Sequence, residues 1–242
     1  ATEQAMNIDN NVFIMGQLID YSPGAFGTTK DLIKKFGKER VRDFPASESA
    51  MTSAAIGASI SGKRPILVHM RTDFMFYSLD AIVNWLSMWR FKTFKKSVSP
   101  LVIRAIVGKG WGQGPQHSKS IHSWFANLPG INVVMPSTPF DAKGLLIDAI
   151  FSNTPSIMIE HRSLFHLNET IPTAPYSVPI GEGIIRKKGK DLTIITFGSA
   201  VIDCMNAARK LNQQHNLDIE VVDLRSLKPL DKKIILKSLK KT

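Results

Sequence analysis

Two side chains of this sequence stand where they could perform acid–base chemistry. Glu48 lies near the start of an alanine- and serine-rich segment, residues 47–60, and His117 follows a run of seven residues, 108–114, that contains four glycines. A carboxylate and an imidazole can each donate or accept a proton near neutral pH when their surroundings adjust their pKa values. Position alone does not decide the role of either residue, because Glu48 could be a helix-capping glutamate and His117 an ordinary loop histidine.

Polar residues also follow two apolar segments that we expect to be strands. The first group is residues 69–74, and the second is residues 160–162 with His166. Such groups are typical of binding loops and equally of plain connections. The spacing in the second group matches no established zinc pattern, so metal coordination there is disfavoured. The glycine-rich run matches neither the P-loop nor the dinucleotide fingerprint, and the sequence contains no Gly-x-Ser-x-Gly nucleophile elbow.

Short and nearly continuous apolar runs must position these residues. The predicted strands are residues 12–16, 65–70, 100–107, 132–136 and 156–161, followed by 183–186, 191–198 and 219–224. Continuous apolar character is typical of strands that are covered on both faces, as in parallel sheets. Ligands of such sheets bind beyond the carboxyl ends of the strands, which is where Glu48, Met70 and His117 fall.

Segments with helical spacing separate these strands. The predicted helices are residues 28–36, 47–60, 78–90, 138–152 and 200–215, with a last one that begins near Pro229. This alternation predicts an α/β fold. Residues 1–167 form the first predicted domain, the polar, proline-containing residues 168–179 a linker, and residues 180–242 part of a second α/β domain.

Composition and charge argue against several classes of function. The chain has 242 residues and a formal net charge of +11, but its lysines are dispersed without interleaved aromatic residues, so we expect no nucleic-acid partner. No apolar run approaches the roughly 18–20 residues that span a bilayer, and we expect no membrane partner. The single cysteine, Cys204, excludes an intrachain disulfide. With no signal peptide recognisable at residues 1–4, we expect a cytoplasmic protein.

Four stretches stand out when they are taken in order: RVRDFPASESAMTSAAIGASISG at 40–62, GPQHSKS at 114–120, residues 129–139 with DAKGL at 141–145, and DLRSLKP at 223–229. Together they resemble the β subunit of the first component of 2-oxo-acid dehydrogenase complexes, which include the pyruvate, branched-chain and acetoin enzymes. The resemblance implies a pyrimidine-binding domain with helices on both faces of a parallel sheet, followed by part of a transketolase C-terminal-like domain. It also implies oxidative decarboxylation of a small, pyruvate-like 2-oxo acid, with acyl transfer to lipoyl groups.

The resemblance implies a role for each matched residue. Glu48 corresponds to the glutamate that hydrogen-bonds the aminopyrimidine ring of thiamine diphosphate and favours its imino tautomer, and Phe74 corresponds to the aromatic residue that packs on that ring. Met70 and Asp73 correspond to neighbouring positions that line the pocket. His117 corresponds to the active-site histidine that assists transfer of the acyl group. No metal ligand is implied in this chain.

Partners follow from the same resemblance. The Gly-Asp-Gly motif that holds the diphosphate and Mg²⁺ is absent from this sequence, and in the family it belongs to the α subunit. The cofactor would therefore bind between the chains of an α2β2 tetramer that is active only with its α subunit, and a lipoyl acyltransferase would be a further partner. The second domain corresponds to part of the family's C-terminal domain, so we expect further elements there or a fold that the partner completes.

Three departures from the family pattern keep alternatives open. Gln17 stands where an acidic residue is usual, which argues against a proton relay between paired sites. Ser152 stands where an acidic ligand of a structural potassium ion is frequent, and residues 70–73 differ from pyruvate enzymes, which leaves the substrate open. The alternatives are an unconventional thiamine diphosphate-dependent decarboxylase or transketolase-like subunit, and an inactive scaffold subunit.

Overall fold

A computed structural model describes residues 1–21 and 24–242. Its strands are β1 (Val12–Gly16), β2 (Val41–Asp43), β3 (Arg64–His69), β4 (Val102–Val107), β5 (Asn132–Val134), β6 (Ser156–His161), β7 (Ile184–Lys187), β8 (Leu192–Thr196), β9 (Ile219–Asp223) and β10 (Ser226–Lys228). Seven of them form one sheet in the order β10-β5-β6-β4-β3-β1-β2, and the other three form a second sheet in the order β7-β9-β8. Every pairing in the large sheet is parallel except that of β10 with β5. The predicted α/β fold with a parallel sheet is confirmed.

The helices lie between these strands along the chain. They are α1 (Thr2–Ile8), α2 (Leu32–Arg40), α3 (Glu48–Ile60), α4 (Trp89–Lys92), α5 (His122–Ala126), α6 (Pro139–Phe151), α7 (Ala200–His215) and α8 (Lys232–Leu239). Short 3-10 turns supplement them at Ala25–Gly27, Thr72–Ser78, Pro115–His117 and Arg162–His166, and a π-helical turn spans Ala81–Leu86. Among the described residues, no helix is both long and apolar enough to cross a membrane.

Burial explains why the apolar runs became the central strands. All six residues of β4 are buried, as are five of the six in β3. One hydrophobic cluster, which includes Leu67, Ile103 and Phe125, packs on one face of the sheet, and another, which includes Ile66, Val102 and Leu146, packs on the opposite face. A strand covered on both faces needs apolar side chains at successive positions, and this accounts for the continuous pattern.

Two predicted helices differ from the structure. The helix predicted over residues 78–90 is wrong as a continuous α-helix, because the Ser87 N–H bonds the Ile82 carbonyl five residues back at 2.9 Å and widens the turn. This π-helical turn still buries Ile82 and Leu86. The helix predicted over residues 28–36 begins later, at Leu32, because Asp31 adopts a left-handed conformation with φ 63°. The predicted bounds of β1, β6 and α7 are confirmed.

The segment between the two sheets packs along α6. Residues 167–183 contain no helix or strand. The Tyr176 hydroxyl donates to the Phe140 carbonyl at 2.9 Å, and the Lys143 ammonium donates to the carbonyls of Pro172 and Ala174 at 2.6 and 2.9 Å. Hydrogen bonds that involve Pro172, Ala174 and Tyr176 therefore hold this predicted linker against α6.

A buried ionic network joins the two sheets. Asp141, in the first turn of α6, accepts from Arg225 at 3.1 Å and from Arg186, and Asp223, at the end of β9, also accepts from Arg186 at 2.9 Å. Both carboxylates are fully buried. The Ser137 hydroxyl donates to Asp223 at 2.5 Å, so the network also includes the loop after β5. Buried charges are tolerated when they are paired in this way.

The network makes a prediction about stability. Asp141→Ala leaves the buried Arg225 guanidinium without its carboxylate partner and leaves Arg186 with Asp223 alone, so we expect the free energy of unfolding to fall by about 3–5 kcal/mol. Glu39→Ala is the control, because Glu39 pairs with Arg42 on the exposed surface and should change stability by less than about 1 kcal/mol. Urea unfolding measures both variants. Equal losses in the two would contradict the account.

Candidate active site

The candidate site lies where the order of the strands reverses. The chain leaves β1 for β2 on one side, and α3 then carries it back past β1 to β3 on the other side. Gln17 follows β1, Glu48 is the first residue of α3, and Met70 follows β3. Parallel α/β sheets bind ligands at such switch points, beyond the carboxyl ends of the strands. The topology therefore brings these three residues to one edge of the sheet.

An open cavity of about 600 Å³ occupies this edge. Aromatic and aliphatic side chains form most of its wall, and Glu48 and Gln17 supply a carboxylate and an amide. The lining residues are Gln17, Leu18, Asp43, Phe44, Pro45, Ala46, Glu48, Met70, Phe74 and Tyr77. The structure thus brings together three of the residues that the sequence analysis selected for a binding pocket, namely Glu48, Met70 and Phe74.

Gln17 and Glu48 contact each other directly. The Gln17 side-chain amide donates to Glu48 Oε1 at 3.0 Å. The turn that presents Gln17 requires Gly16, whose φ is 148° and where a Cβ atom would lie 2.3 Å from the Val68 carbonyl oxygen. Leu18 then takes a left-handed φ of 54°, a conformation that costs free energy in a leucine. The sequence analysis treated Gln17 only as a departure from the family pattern, whereas in the structure its side-chain amide is hydrogen-bonded to the Glu48 carboxylate.

His117 contacts the cavity through Phe74. The two rings meet edge to face with centroids 5.3 Å apart, and His117 itself is not among the lining residues of the cavity. His117 Nδ1 lies 3.1 Å from the Gln113 carbonyl oxygen. Because a carbonyl can only accept, Nδ1 carries the proton in this contact, and a neutral ring then has Nε2 free to accept another.

Asp73 lies beside the cavity but faces away from it. Its Oδ1 accepts from the Lys119 backbone N–H at 3.1 Å, and the Lys119 ammonium lies 3.5 Å from the same oxygen. The structure therefore places Asp73 against the chain that follows His117, and not in the lining of the cavity as the resemblance implied. The 3-10 turn at Thr72–Ser78 causes this difference, because it turns Phe74 toward the cavity and its neighbour away.

Two of the polar residues that follow or end β6, Glu160 and His161, are engaged by neighbouring side chains. Arg104 donates to both carboxylate oxygens of Glu160, at 2.9 and 2.8 Å, and this pair is nearly buried. His161 Nδ1 lies 2.6 Å from the Ser163 hydroxyl. Within the part of the chain that the structure describes, no group of three or more His, Cys, Asp or Glu side chains is arranged to hold a metal ion.

Directly behind the cavity, a buried histidine supports α3. The His69 Nε2 lies 3.2 Å from the Thr52 hydroxyl, which donates its own proton to Ser78 at 2.9 Å. Thr52 lies one turn after Glu48 on α3. Complete burial lowers the pKa of His69 from 6.5 to about 3, so His69 is neutral at physiological pH. The sequence analysis assigned no function to this residue, although its place at the end of a buried strand marked it.

Comparison with protein families divides the chain into two matches. Residues 1–166 match the family described as the transketolase pyrimidine binding domain. Residues 181–242 match the transketolase C-terminal domain. The first match contains all the residues that line the cavity, together with His117.

Curated relatives align with the whole chain. It is 41% identical to the β subunit of acetoin:2,6-dichlorophenolindophenol oxidoreductase from Cupriavidus necator and 37% identical to the β subunit of 2-oxoisovalerate dehydrogenase from Bacillus subtilis. It is 39% identical to the β subunit of the pyruvate dehydrogenase E1 component from Porphyra purpurea. These alignments cover 100% of this chain and 74%, 74% and 73% of the respective relatives.

A solved structure supports the fold. The chain is similar to a split-gene transketolase described as an inactive beta4 tetramer, with a TM-score of 0.79 and 22% sequence identity. The similarity covers 100% of this chain and 76% of that one. At this level of identity, the comparison concerns the fold alone.

The neutral, buried state of His69 predicts a dependence of stability on pH. The folded state has the lower pKa, so between pH 6.5 and about 3 the unfolded state binds a proton that the folded state does not. The contribution of His69 to stability is therefore present above pH 6.5 and is lost on acidification, by about 1.4 kcal/mol per pH unit. We expect urea unfolding of His69→Gln to lack this component.

His215→Gln is the matched control, because His215 is exposed at the end of α7. Its unfolding free energy should stay parallel to that of the unmodified protein between pH 7 and about pH 4.5. A His69→Gln curve that is also parallel over this range would contradict the assignment.

Proposed function

Because this chain belongs to the family of transketolase-like β subunits of thiamine diphosphate-dependent 2-oxo-acid dehydrogenases, we propose that its open cavity holds the aminopyrimidine end of thiamine diphosphate. The observation that carries the proposal is the position of Glu48 at the switch point, hydrogen-bonded to Gln17 and facing apolar walls. The proposed activity is oxidative decarboxylation of a small 2-oxo acid.

The chemistry of the cavity fits this end of the cofactor. An aminopyrimidine is a flat ring with polar nitrogens on its edge, so it needs an apolar surface for its faces and few, well-placed polar groups for its edge. Phe74 and Met70 supply the surface, and the Glu48 carboxylate supplies an acceptor for a protonated ring nitrogen. Gln17 leaves Glu48 Oε2 available, because its amide occupies Oε1.

In this proposal, Glu48, Gln17, Phe74 and His117 have separate roles in the reaction. When bound, thiamine diphosphate supplies the carbon nucleophile and the electron sink that decarboxylation of a 2-oxo acid requires. Glu48 shares a proton with the ring nitrogen, and Gln17 fixes the orientation of that carboxylate. Phe74 holds the ring in place and packs on His117, whose free Nε2 can take or deliver a proton during acyl transfer to a lipoyl group.

A second chain completes the site in this proposal. The cavity is open, and its rim carries two exposed apolar side chains, Leu18 at 50% exposure and Tyr77 at 71%. Exposed apolar side chains that adjoin a largely apolar cavity are typical of a surface that a partner covers. We assign that surface to an α subunit, which would supply the groups that hold Mg²⁺ and the diphosphate in an α2β2 assembly.

The substrate is proposed by class. Pyruvate and 2-oxoisovalerate appear in the names of two relatives, so a small 2-oxo acid with about two to four carbons besides the carboxylate is the class to screen. Acetoin, a hydroxy ketone without a carboxylate, appears in the name of a third relative and belongs in the same screen. We propose pyruvate as the first substrate to test. A lipoyl acyltransferase is the proposed acceptor of the acyl group.

Glu48→Gln tests the proposed function. The amide cannot take up a proton, so we expect turnover of the 2-oxo acid by the assembled α and β subunits to fall by at least about 100-fold. Glu39→Gln removes an exposed carboxylate and should retain normal turnover. Both variants should unfold at the same urea concentration as the parent protein. Normal turnover of Glu48→Gln would exclude this role.

A further inference from the structure

One buried side chain closes the loop that carries His117. The Arg71 guanidinium is buried and donates to the Gly108 carbonyl at 3.4 Å and to the His117 carbonyl at 2.7 Å. These two carbonyls belong to the first and last residues of the loop 108–117. A planar guanidinium with several fixed donors can bridge acceptors from separate parts of a chain in this way.

Gln113 links Arg71 to the imidazole ring. Its side-chain Oε1 accepts from Arg71 Nη2, while its backbone carbonyl accepts from His117 Nδ1 at 3.1 Å. Gln113 is therefore held by Arg71 through its side chain, and its backbone carbonyl favours the His117 tautomer that carries the proton on Nδ1. Gln113 itself is exposed, so these hydrogen bonds hold it rather than surrounding packing.

We propose that Arg71 is a positioning residue that sets the tautomer and orientation of His117 through Gln113 and the His117 carbonyl. The inference rests on the proposed function for its catalytic consequence, although the tautomer can be measured without it. The described hydrogen bonds of the Arg71 guanidinium go to Gly108, Gln113 and His117, none of which lines the cavity. The Arg71 backbone carbonyl accepts from the N–H of Phe74, which does line it, at 3.2 Å, and this bond is independent of the side chain.

The glycine content of the loop explains why hydrogen bonds from Arg71 would matter for its conformation. Gly108, Gly110, Gly112 and Gly114 all have positive φ, and glycine-rich backbone loses much conformational entropy when it is ordered. Ring contacts also touch the loop, because Phe74 meets His117 edge to face and the Arg162 guanidinium lies 4.6 Å from the Trp111 ring centroid. The Arg71 guanidinium adds directional hydrogen bonds to both ends of the loop and to its middle.

Lysine is the informative replacement at this position. It keeps the positive charge but has a single ammonium, which cannot span the Gly108, Gln113 and His117 acceptors together. Arg71→Lys should therefore preserve the fold while releasing Gln113. Gln113→Ala is a second variant at an exposed position, and it removes the side-chain acceptor while keeping the carbonyl that His117 uses.

The first readout is the tautomer of His117 in the full chain. Labelled histidine ¹⁵N spectra at pH 8 distinguish a protonated Nδ1 from a protonated Nε2, and His117→Gln identifies the signal among the six histidines. We expect the Nδ1–H form in the parent protein and a mixture of both forms in Arg71→Lys and Gln113→Ala. Arg90→Lys, at an exposed arginine, should keep the parent spectrum.

The second readout is kinetic, in the complex with the α subunit. We expect Arg71→Lys to lower kcat for acyl transfer to lipoamide on the order of 100-fold. The KM for the 2-oxo acid and the affinity for thiamine diphosphate should stay within about twofold of the parent values, because the lining of the cavity is unchanged. A general loss of structure would instead weaken cofactor binding as well.

The outcomes separate the two proposals. An unchanged His117 tautomer in both variants, or normal acyl transfer by Arg71→Lys, would overturn the positioning role. If the parent complex turns over no 2-oxo acid, the proposed function fails, while the tautomer measurement still decides the role of Arg71. If Arg71→Lys does not fold, Gln113→Ala carries the same test.

Discussion

The site depends on one topological constraint, which is that β1 pairs in parallel with both β2 and β3 while α3 connects the outer two. Because all three strands end at the same edge, the residue after β1, the first residue of α3 and the residue after β3 must meet there. The Gln17–Glu48 hydrogen bond and the wall formed by Met70 follow from this arrangement. Without the reversal of strand order, these residues would be separated along the sheet.

Buried polar groups secure the parts of the molecule that hydrophobic packing does not. The Asp141 and Asp223 carboxylates hold the second sheet on the first through two arginines, and β10 adds itself to β5 at the edge of the large sheet. A third arginine, Arg71, donates to the carbonyls at both ends of the glycine-rich loop. Directional hydrogen bonds suit these tasks, because they specify one arrangement where apolar contacts would allow several.

The sequence predicted those features that local pattern determines. Continuous apolar runs identified the central strands, and Thr138 with Pro139 identified the start of α6, because a capping oxygen and a fixed φ act within one turn. Long-range features were not predictable from such patterns. Arg71 finds its acceptors 37 to 46 residues away, and β10 pairs with a strand about 90 residues earlier. The orientation of the Asp73 side chain away from the cavity depends on a 3-10 turn that apolar spacing does not reveal.

The central claim is that this chain contributes the pyrimidine-binding half of a shared thiamine diphosphate site. Calorimetric titration of thiamine diphosphate with Mg²⁺ tests it most directly, with this chain alone and with this chain assembled with its α subunit. The account predicts saturable binding in the assembled complex, weak or no binding to the chain alone, and loss of affinity in the complex when Phe74→Ala removes the apolar surface for the ring. Absence of binding in the assembled complex, or equal affinity after Phe74→Ala, would contradict it.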